Sequence, residues 1–401
     1  MREGWQTMKL GEVCSFLNRG ISPAYLEQGG ICVLNQKCVR DHEVKYNYSK
    51  RHDSGAKKVA QERLIQVGDV LVNSTGTGTL GRVAQVRAEP EEVTTVDSHI
   101  TIVRPRSGLF HLDFFGYMMI VIEDAIKEAG EGCGGQTELA RSVLAERFSV
   151  SYPESMYEQQ RIAALLDEAF AGLATAKANA ERNLSNTRAL FESYLEEIFS
   201  KACKDWGVEV LGDLCVIARG GSPRPISEFL TSDANGVNWI KISDASASNK
   251  YIFTTEQKIK PEGARRSRMV HDGDFLLSNS MSFGRPYIMR TSGCIHDGWL
   301  VLSDYQDRLS QDYLYYLLGS NMIYRQFDGL AAGSTVRNLN IDLASRVEIP
   351  VPPLDIQHDS ASKAELLAVE TQRLTSLYER KLAALEELKK SLLRQAFNGE
   401  L

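Results

Sequence analysis

From about Glu158 to Ser200, apolar residues recur at alternating spacings of three and four: Ile162, Leu166, Ala169, Leu173, Ala176 and Ala180, then Leu184, Phe191, Leu195 and Ile198. The stretch contains no proline and a single glycine, Gly172. This period predicts one long helix with a narrow apolar seam, which needs a second helix to cover it. A similar pattern closes the chain from about Asp359 to Phe397, through Leu367, Leu374, Leu377 or Tyr378, Lys381 or Leu382, Leu385, Leu388 and Leu392. At a rise of about 1.5 Å per residue, each stretch makes a rod on the order of 60 Å long. The rods are tethered in one chain and so face each other at high effective concentration. They are expected to pair with each other, antiparallel, as an intramolecular coiled coil.

The segments before the rods have a different texture. Short apolar runs at Val70 to Val72, Arg82 to Val86, His99 to Val103, Trp239 to Ile242 and Trp299 to Leu302 predict strands separated by turns. Phe114 to Ala129 and Asp312 to Arg325 carry the helical period.

The two mixed segments also repeat each other. Trp5, Leu10, Gly11 and Cys14 return as Trp206, Leu211, Gly212 and Cys215, all at an offset of 201. Arg19-Gly20-Ile21-Ser22-Pro23 returns as Arg219-Gly220-Gly221-Ser222-Pro223, and Gly81-Arg82 as Gly284-Arg285. The pattern is that of an internal duplication. The expected fold is α+β: mixed α/β bodies at 1–150 and 206–355, long helices at 151–205 and 356–401, and a pseudo-twofold relation between the halves.

Composition narrows the function. A chain of 401 residues with 43% hydrophobic and 24% charged residues is an ordinary globular protein with room for more than one core. No signal segment or membrane span is evident, so a cytoplasmic location and no membrane partner are expected. Seven scattered cysteines with no C-x-x-C pair predict buried free thiols and neither disulfides nor a cysteine metal site. The net charge is -6, and residues 1–150 hold 18 basic and 19 acidic side chains. Any positive face must therefore be assembled by folding local clusters together.

Catalytic motifs fail on their physics. Gly76-Thr77-Gly78-Thr79-Leu80-Gly81 fits G-x-G-x-x-G, but the run after it reads as a strand and supplies no helix N-terminus for a pyrophosphate. No G-x-x-x-x-G-K-[ST] occurs, and neither Asp97-Ser98-His99 nor His296-Asp297 has the geometry of a relay. No metal-ligand spacing is present, so no metal and no catalytic residue is expected.

What remains is two sets of polar loops rich in residues that read base edges and hold phosphates. The first set is Arg19, Ser22, Lys37, Lys57, Lys58, Thr75, Thr77, Thr79 and Arg82. The second is Arg219, Ser222, Arg224, Lys241, Arg265, Arg266, Arg268, Asn279, Ser280, Ser282, Arg285, Arg337 and Asn338. Each of these residues alone is most simply a solvated surface group. Their recurrence in two copies favours binding to double-stranded DNA. The competing class is a structural adaptor that docks proteins through its rods and never meets DNA.

Gly333-Ser334-Thr335-Val336-Arg337-Asn338-Leu339-Asn340, Ile349-Pro350-Val351-Pro352-Pro353-Leu354 and the terminal Leu392-Leu393-Arg394-Gln395-Ala396-Phe397-Asn398-Gly399-Glu400-Leu401 resemble the specificity subunits (HsdS) of type I restriction-modification systems. Gly135-Gln136-Thr137, Tyr152-Pro153 and Glu158-Gln159-Gln160-Arg161-Ile162 form a weaker first copy. The resemblance implies two target recognition domains that read a split, asymmetric sequence. It also implies a helical spacer that docks two modification subunits and two restriction subunits. S-adenosylmethionine would belong to the methyltransferase partner, ATP and Mg to the restriction partner, and no cofactor to this chain. The Asn-Pro-Pro-Phe or Asp-Pro-Pro-Tyr signature of the methylase is absent, as a non-catalytic subunit requires. The first half reads Glu138-Leu139-Ala140-Arg141 where the second reads Arg337-Asn338-Leu339-Asn340, so the two domains are not expected to use that loop alike.

Overall fold

The computed structural model describes residues 4–130, 138–246, 249–279, 283–330 and 338–401. The chain gathers into two compact units, Met1–Asn179 with Lys381–Leu401, and Ala180–Arg380. Each unit holds one mixed α/β body and a part of both long helices.

In the first unit, strand Trp5–Lys9 pairs antiparallel with Ser149–Pro153, so the body opens and closes along one edge. Between them lies an antiparallel sheet in the order Cys14–Arg19, Ile100–Pro105, Val70–Asn73, Val83–Gln85. A second sheet contains Ile31–Leu34 paired parallel with Thr94–Val96. Side chains alternate across a strand. Val70 and Val72 accordingly join the core under helix Leu112–Val121, and Leu71 joins the opposite core with Cys32, Leu34 and Ile102. Burial on both faces explains why this strand reads as a continuous apolar run.

The second unit repeats the plan. Glu209–Val210 pairs with Glu348–Ile349, and the central sheet runs Val216–Arg219, Trp299–Ser303, Phe275–Ser278, Pro286–Met289. A further strand, Tyr251–Ile252, adds to its edge in parallel. Phe275 and Leu277 face helix Gln311–Leu318, while Leu276 faces Ile240 and Ile295. The repeated Leu-Gly phrase has a packing cause. A Cβ on Gly11 would lie 2.9 Å from the Ala145 Cβ, and one on Gly212 would lie 2.6 Å from the Ser345 Cβ. In both units a short helical turn meets a second one too closely for a side chain.

Three sequence expectations need correction. The run Phe114 to Ala129 forms two helices, Leu112–Val121 and Glu123–Ala129, and Asp312 to Arg325 lies in Gln311–Leu318 and Asn321–Leu330. In the second case the Ser320 hydroxyl donates to the Leu317 carbonyl at 2.7 Å and accepts the Ile323 N–H at 3.4 Å, capping a new helix. The strand at Trp239 ends at Ile240, and Ile242–Ser246 is helical.

The long helices are Met156–Trp206 and Leu354–Asn398, 51 and 45 residues, or about 75 and 68 Å. They pack antiparallel. In the first unit Ile162 and Leu166 share a core with Leu393 and Ala396, and Lys177 pairs with Glu386 at 2.7 Å. In the second, Leu195 and Phe199 share a core with Ala361 and Ala364, and Arg188 pairs with Glu379 at 3.1 Å. Leu173, Leu184, Phe191, Leu367, Leu374, Leu385 and Leu392 are partly buried, as seam positions should be. Where the pattern offered a choice, Tyr378 and Leu382 are partly buried while Leu377 and Lys381 are exposed. Leu388, expected in the seam, is instead 47% exposed. Its place is taken by Lys389, one position on, whose Nζ lies 5.3 Å from the Phe170 ring centre. A lysine stem can cover apolar surface while its charge reaches outward.

Cys14, Cys32, Cys38, Cys215 and Cys294 are buried free thiols, and burial raises Cys14 and Cys215 to about 12. Cys203, on the central helix, is partly exposed, against expectation. Cys133 lies outside the described residues.

Candidate nucleic-acid interface

In the second domain the turn after Arg219, the segment His296–Gly298, and residues 279 and 338–339 converge. Backbone hydrogen bonds fix them: Gly220 N–H to the Trp299 carbonyl at 2.9 Å, Asn279 N–H to Gly298 at 2.9 Å, and Leu339 N–H to Asn279 at 2.8 Å. The hub is Asp297. Its carboxylate accepts the Ser222 hydroxyl at 2.7 Å and pairs with Arg224 at 3.2 Å. Its carbonyl accepts from Arg219 Nε at 2.9 Å and from Asn279 Nδ2 at 2.8 Å. The Ser222 hydrogen bond, with smaller help from His296 and Arg224, holds the Asp297 carboxyl below the usual range against partial burial.

Arg268 donates to the Arg219 carbonyl at 2.8 Å, so a third arginine joins the turn. Arg224 projects outward, its side chain 81% exposed. Ser222, Arg224 and Lys241 line an open cleft of about 1230 Å³ with Trp239 and His296. Burial pushes His296 below the ordinary histidine value. Lys241 also pairs with Glu256 at 3.5 Å.

The remaining candidates are less central. Arg265 and Arg266 are exposed beyond helix Pro261–Ala264, and Arg266 stacks over Phe229 at 5.3 Å. Arg285 is exposed over Tyr287 at 5.3 Å, on the neighbouring strand connection. Asn279 and Asn338 each keep a buried side-chain oxygen with no partner among the described residues. Ser280, Ser282 and Arg337 lie outside the described residues.

The first domain has the same frame. Gly20 N–H bonds to Ile100 at 2.9 Å, Ser74 N–H to His99 at 2.8 Å, and Leu139 N–H to Ser74 at 2.8 Å. Ser98 occupies the place of Asp297, so the hub is missing and the side chains differ. Arg19 donates to the Leu139 carbonyl at 3.0 Å and pairs with Glu138 at 2.8 Å. Arg63 donates to the carbonyls of Arg19 and Gly20, filling the role that Arg268 has in the second domain. The glycine-rich loop is followed by strand Val83–Gln85, as its sequence predicted.

That loop closes around Gln36, whose amide reaches Thr75 Oγ1 at 2.7 Å and Thr79 Oγ1 at 3.0 Å. Thr75 also bonds His99 Nδ1 at 2.8 Å. Arg82 donates to the Gly78 carbonyl at 2.9 Å, and Thr77 is exposed on the loop. Arg19, Thr75 and Thr79 therefore come together, with Lys37 exposed beside Gln36. Lys57 instead holds the Ser22 carbonyl at 2.8 Å, and Lys58 is exposed next to it. Gln36 and Asp297 escaped the sequence reading because their roles depend on which carbonyls and loops the fold brings to them, whereas Arg63, also missed, stands five residues before Gly68-Asp69 as Arg268 does before Gly273-Asp274.

Each domain thus offers a rigid backbone frame carrying arginines, hydroxyls and amides, which are the groups that contact DNA. Among the described residues no group of three or more His, Cys, Asp or Glu side chains could hold a metal ion. A family model described as the type I restriction modification DNA specificity domain matches residues 2–182 and 203–377. This chain belongs to that family. It carries the family's DNA specificity domain twice.

A curated relative, the type I restriction enzyme MjaIX specificity subunit of Methanocaldococcus jannaschii, is 26% identical over 174 residues, 42% of this chain and 39% of the relative. The match thus spans well under half of that relative's length. Among solved structures, a chain from a study of complex assembly and conformational transition of the type I R-M system aligns with a TM-score of 0.82 at 19% identity, covering 100% of this chain and 99% of the other. The HsdS subunit from Thermoanaerobacter tengcongensis aligns with a TM-score of 0.61 at 19% identity, covering 100% and 98%. At such identities the structural likeness speaks for the fold. No helix among the described residues is long and apolar enough to cross a membrane.

Proposed function

We infer that this chain gives a type I modification complex its DNA address by reading a split, asymmetric sequence, one part per domain. The observation that carries this reading is the shared hydrogen-bond frame bearing different side chains: Ser98 and Gln36 in one copy, Asp297 and Ile242 in the other. Equal frames present equal surfaces to a duplex, and unequal side chains select unequal bases. The paired helices act as the spacer. Tethered readers gain selectivity only while both can engage, so spacer length sets the number of unread base pairs.

Two modification subunits dock on the helices, where Leu190, Leu366 and Val369 of the second unit are at least 60% exposed away from the seam. Those subunits supply S-adenosylmethionine and methylate adenine N6 after flipping the base from the stack. Two restriction subunits, with ATP and Mg, complete the cytoplasmic assembly.

The test is methylation-site sequencing of cells expressing the chain with its partners. Exchanging residues 206–350 for those of a relative should change one part of the methylated sequence only. A change in both parts would refute modular reading. Methylation without sequence preference would favour the adaptor that never meets DNA.

A further inference from the structure

Gln36 belongs to neither set of residues that the repeat singles out, yet the first domain builds a loop around it. Its nitrogen donates to Thr75 Oγ1 at 2.7 Å, and its oxygen accepts from Thr79 Oγ1 at 3.0 Å. Thr75 is itself tied to His99 at 2.8 Å. The backbone carbonyl of Gln36 accepts from Asn73 Nδ2 at 3.1 Å, which anchors the residue to the central sheet. Gly76 makes the enclosure possible. It has φ +102°, and a Cβ there would fall 2.4 Å from both Gln36 Oε1 and Thr79 Oγ1. This glycine-rich stretch therefore cradles an amide, where its letters suggested a phosphate.

The cradle uses only part of the amide. A primary amide has two N–H donors and two lone pairs on its oxygen. Thr75 takes one donor and Thr79 one lone pair, and the side chain is only partly buried. One N–H and one lone pair remain, on an amide that Thr75 and Thr79 hold in place. A donor and an acceptor on one amide are the groups that pair with the N7 acceptor and N6 donor of adenine in the major groove, the usual partner of a bidentate glutamine. Fixing the side chain beforehand removes the ordering cost of binding.

We propose that Gln36 is a specificity-determining residue that reads an adenine in the part of the target recognised by the first domain. This rests on the DNA-reading function inferred above. The contact is confined to one domain, because the second places Ile242 at the equivalent position after its strand Val237–Ile240, and an isoleucine side chain has no hydrogen-bonding group. Thr75, Thr79 and Gly76 are positioning residues that act through Gln36.

The test is methylation-site sequencing of the complete complex carrying Gln36→Ala, Gln36→Glu or Thr79→Val, with the 206–350 exchange identifying the first domain's part of the motif. Gln36→Ala should reduce discrimination at one A·T pair in that part by roughly 5- to 150-fold, leaving the other part unchanged. Gln36→Glu removes the donors and keeps acceptors, so the preference at that pair should move toward cytosine, whose N4 amino group donates. A purely structural role would not produce that shift. Thr79→Val should give a smaller loss at the same pair, and it decides the matter if Gln36→Ala abolishes modification altogether. A wild-type motif in all three variants, or a change confined to the second domain's part, overturns the proposal while leaving the general reading intact. Loss of any split motif in the wild-type complex would instead overturn the reading on which it rests.

Discussion

The side-chain oxygen of Gln357 accepts the backbone N–H of Ser310 at 2.8 Å, locking the first turn of the terminal helix to the loop that starts helix Gln311–Leu318. Its nitrogen donates to the Arg308 and Pro352 carbonyls at 2.9 and 2.8 Å. Gln159 repeats the arrangement in the first unit, with His111 N–H at 2.8 Å and the Leu109 and Pro153 carbonyls at 3.2 and 2.9 Å. Both glutamines are fully buried. Replacing one leaves three buried backbone groups without a partner, and each such group costs about 1 to 3 kcal/mol where water cannot reach it. Gln357→Leu keeps most of the volume and should destabilise the protein by about 2 to 4 kcal/mol in urea unfolding, after partial relaxation. A loss below about 0.5 kcal/mol would mean that the lock is incidental.

A second junction follows the same logic with different parts. In the first unit Arg87 pairs with Asp167 at 2.9 Å and lies 4.9 Å from the Tyr117 ring centre, and Tyr117 donates to Asp167 at 2.5 Å. In the second, Lys250 pairs with Glu365 at 2.5 Å and Asp312 at 2.9 Å, and Tyr316 donates to Glu365 at 2.7 Å. Burial opposes the charge on Lys250, but Glu365 and Asp312 outweigh it, so its pKa lies above the ordinary lysine value. A raised folded pKa stabilises fully below the unfolded value of about 10.4, and the contribution fades as pH rises through the folded value. Wild type should therefore exceed Lys250→Met in stability by about 1 to 3 kcal/mol at neutral pH. That gap should narrow as the pH is raised above about 10. A gap that stays constant through alkaline unfolding would remove the charge from the account.

The helix seam separates what letters can tell from what they cannot. Leu382 and Leu388 are the same residue type on one helix, six positions apart, and the sequence pattern admitted both. Only the first is partly buried, because the seam continues from Leu385 by four to Lys389 and not by three to Leu388. Leu382→Ala should cost about 1 to 3 kcal/mol and Leu388→Ala less than about 0.5 kcal/mol in the same unfolding experiment. Equal effects would contradict the register of the pairing.

The duplication, both rods, the central strands and the strand after the glycine-rich loop were legible because each rests on local periodicity or on phrases that recur at one offset. Contacts made by closure of the fold were not. Asp113 and Asp312, and Tyr117 and Tyr316, recur in the sequence, but their cation comes from after strand Val83–Gln85 in one unit and from before strand Tyr251–Ile252 in the other. The reading loops show the same division. Arg19 and Arg219 are visible as repeats, and so are the arginines that hold their carbonyls, since Arg63 and Arg268 each stand five residues before a Gly-Asp pair, but those letters do not say which carbonyl they reach. Any side chain of suitable reach can satisfy a carbonyl, so even a repeated letter does not name its partner.

The interface of the second domain separates charge from shape. Arg224 is exposed and touches the domain chiefly through Asp297, which suits a phosphate contact. Arg224→Ala should weaken binding of the assembled complex to its own site and to unrelated duplexes alike. It should also lower the slope of log affinity against log salt by about 1. Asp297→Ala acts differently. It removes a negative charge, which by itself favours DNA, but it frees Ser222 and Arg224 from their shared acceptor. Specific affinity should then fall while non-specific affinity holds or rises, and discrimination should relax only in the second domain's part of the target. Titrating specific and mixed duplexes at several salt concentrations distinguishes the two. If Asp297→Ala strengthened specific and non-specific binding equally, the carboxylate would be a mere repulsive charge, and the turn would hold its shape without it.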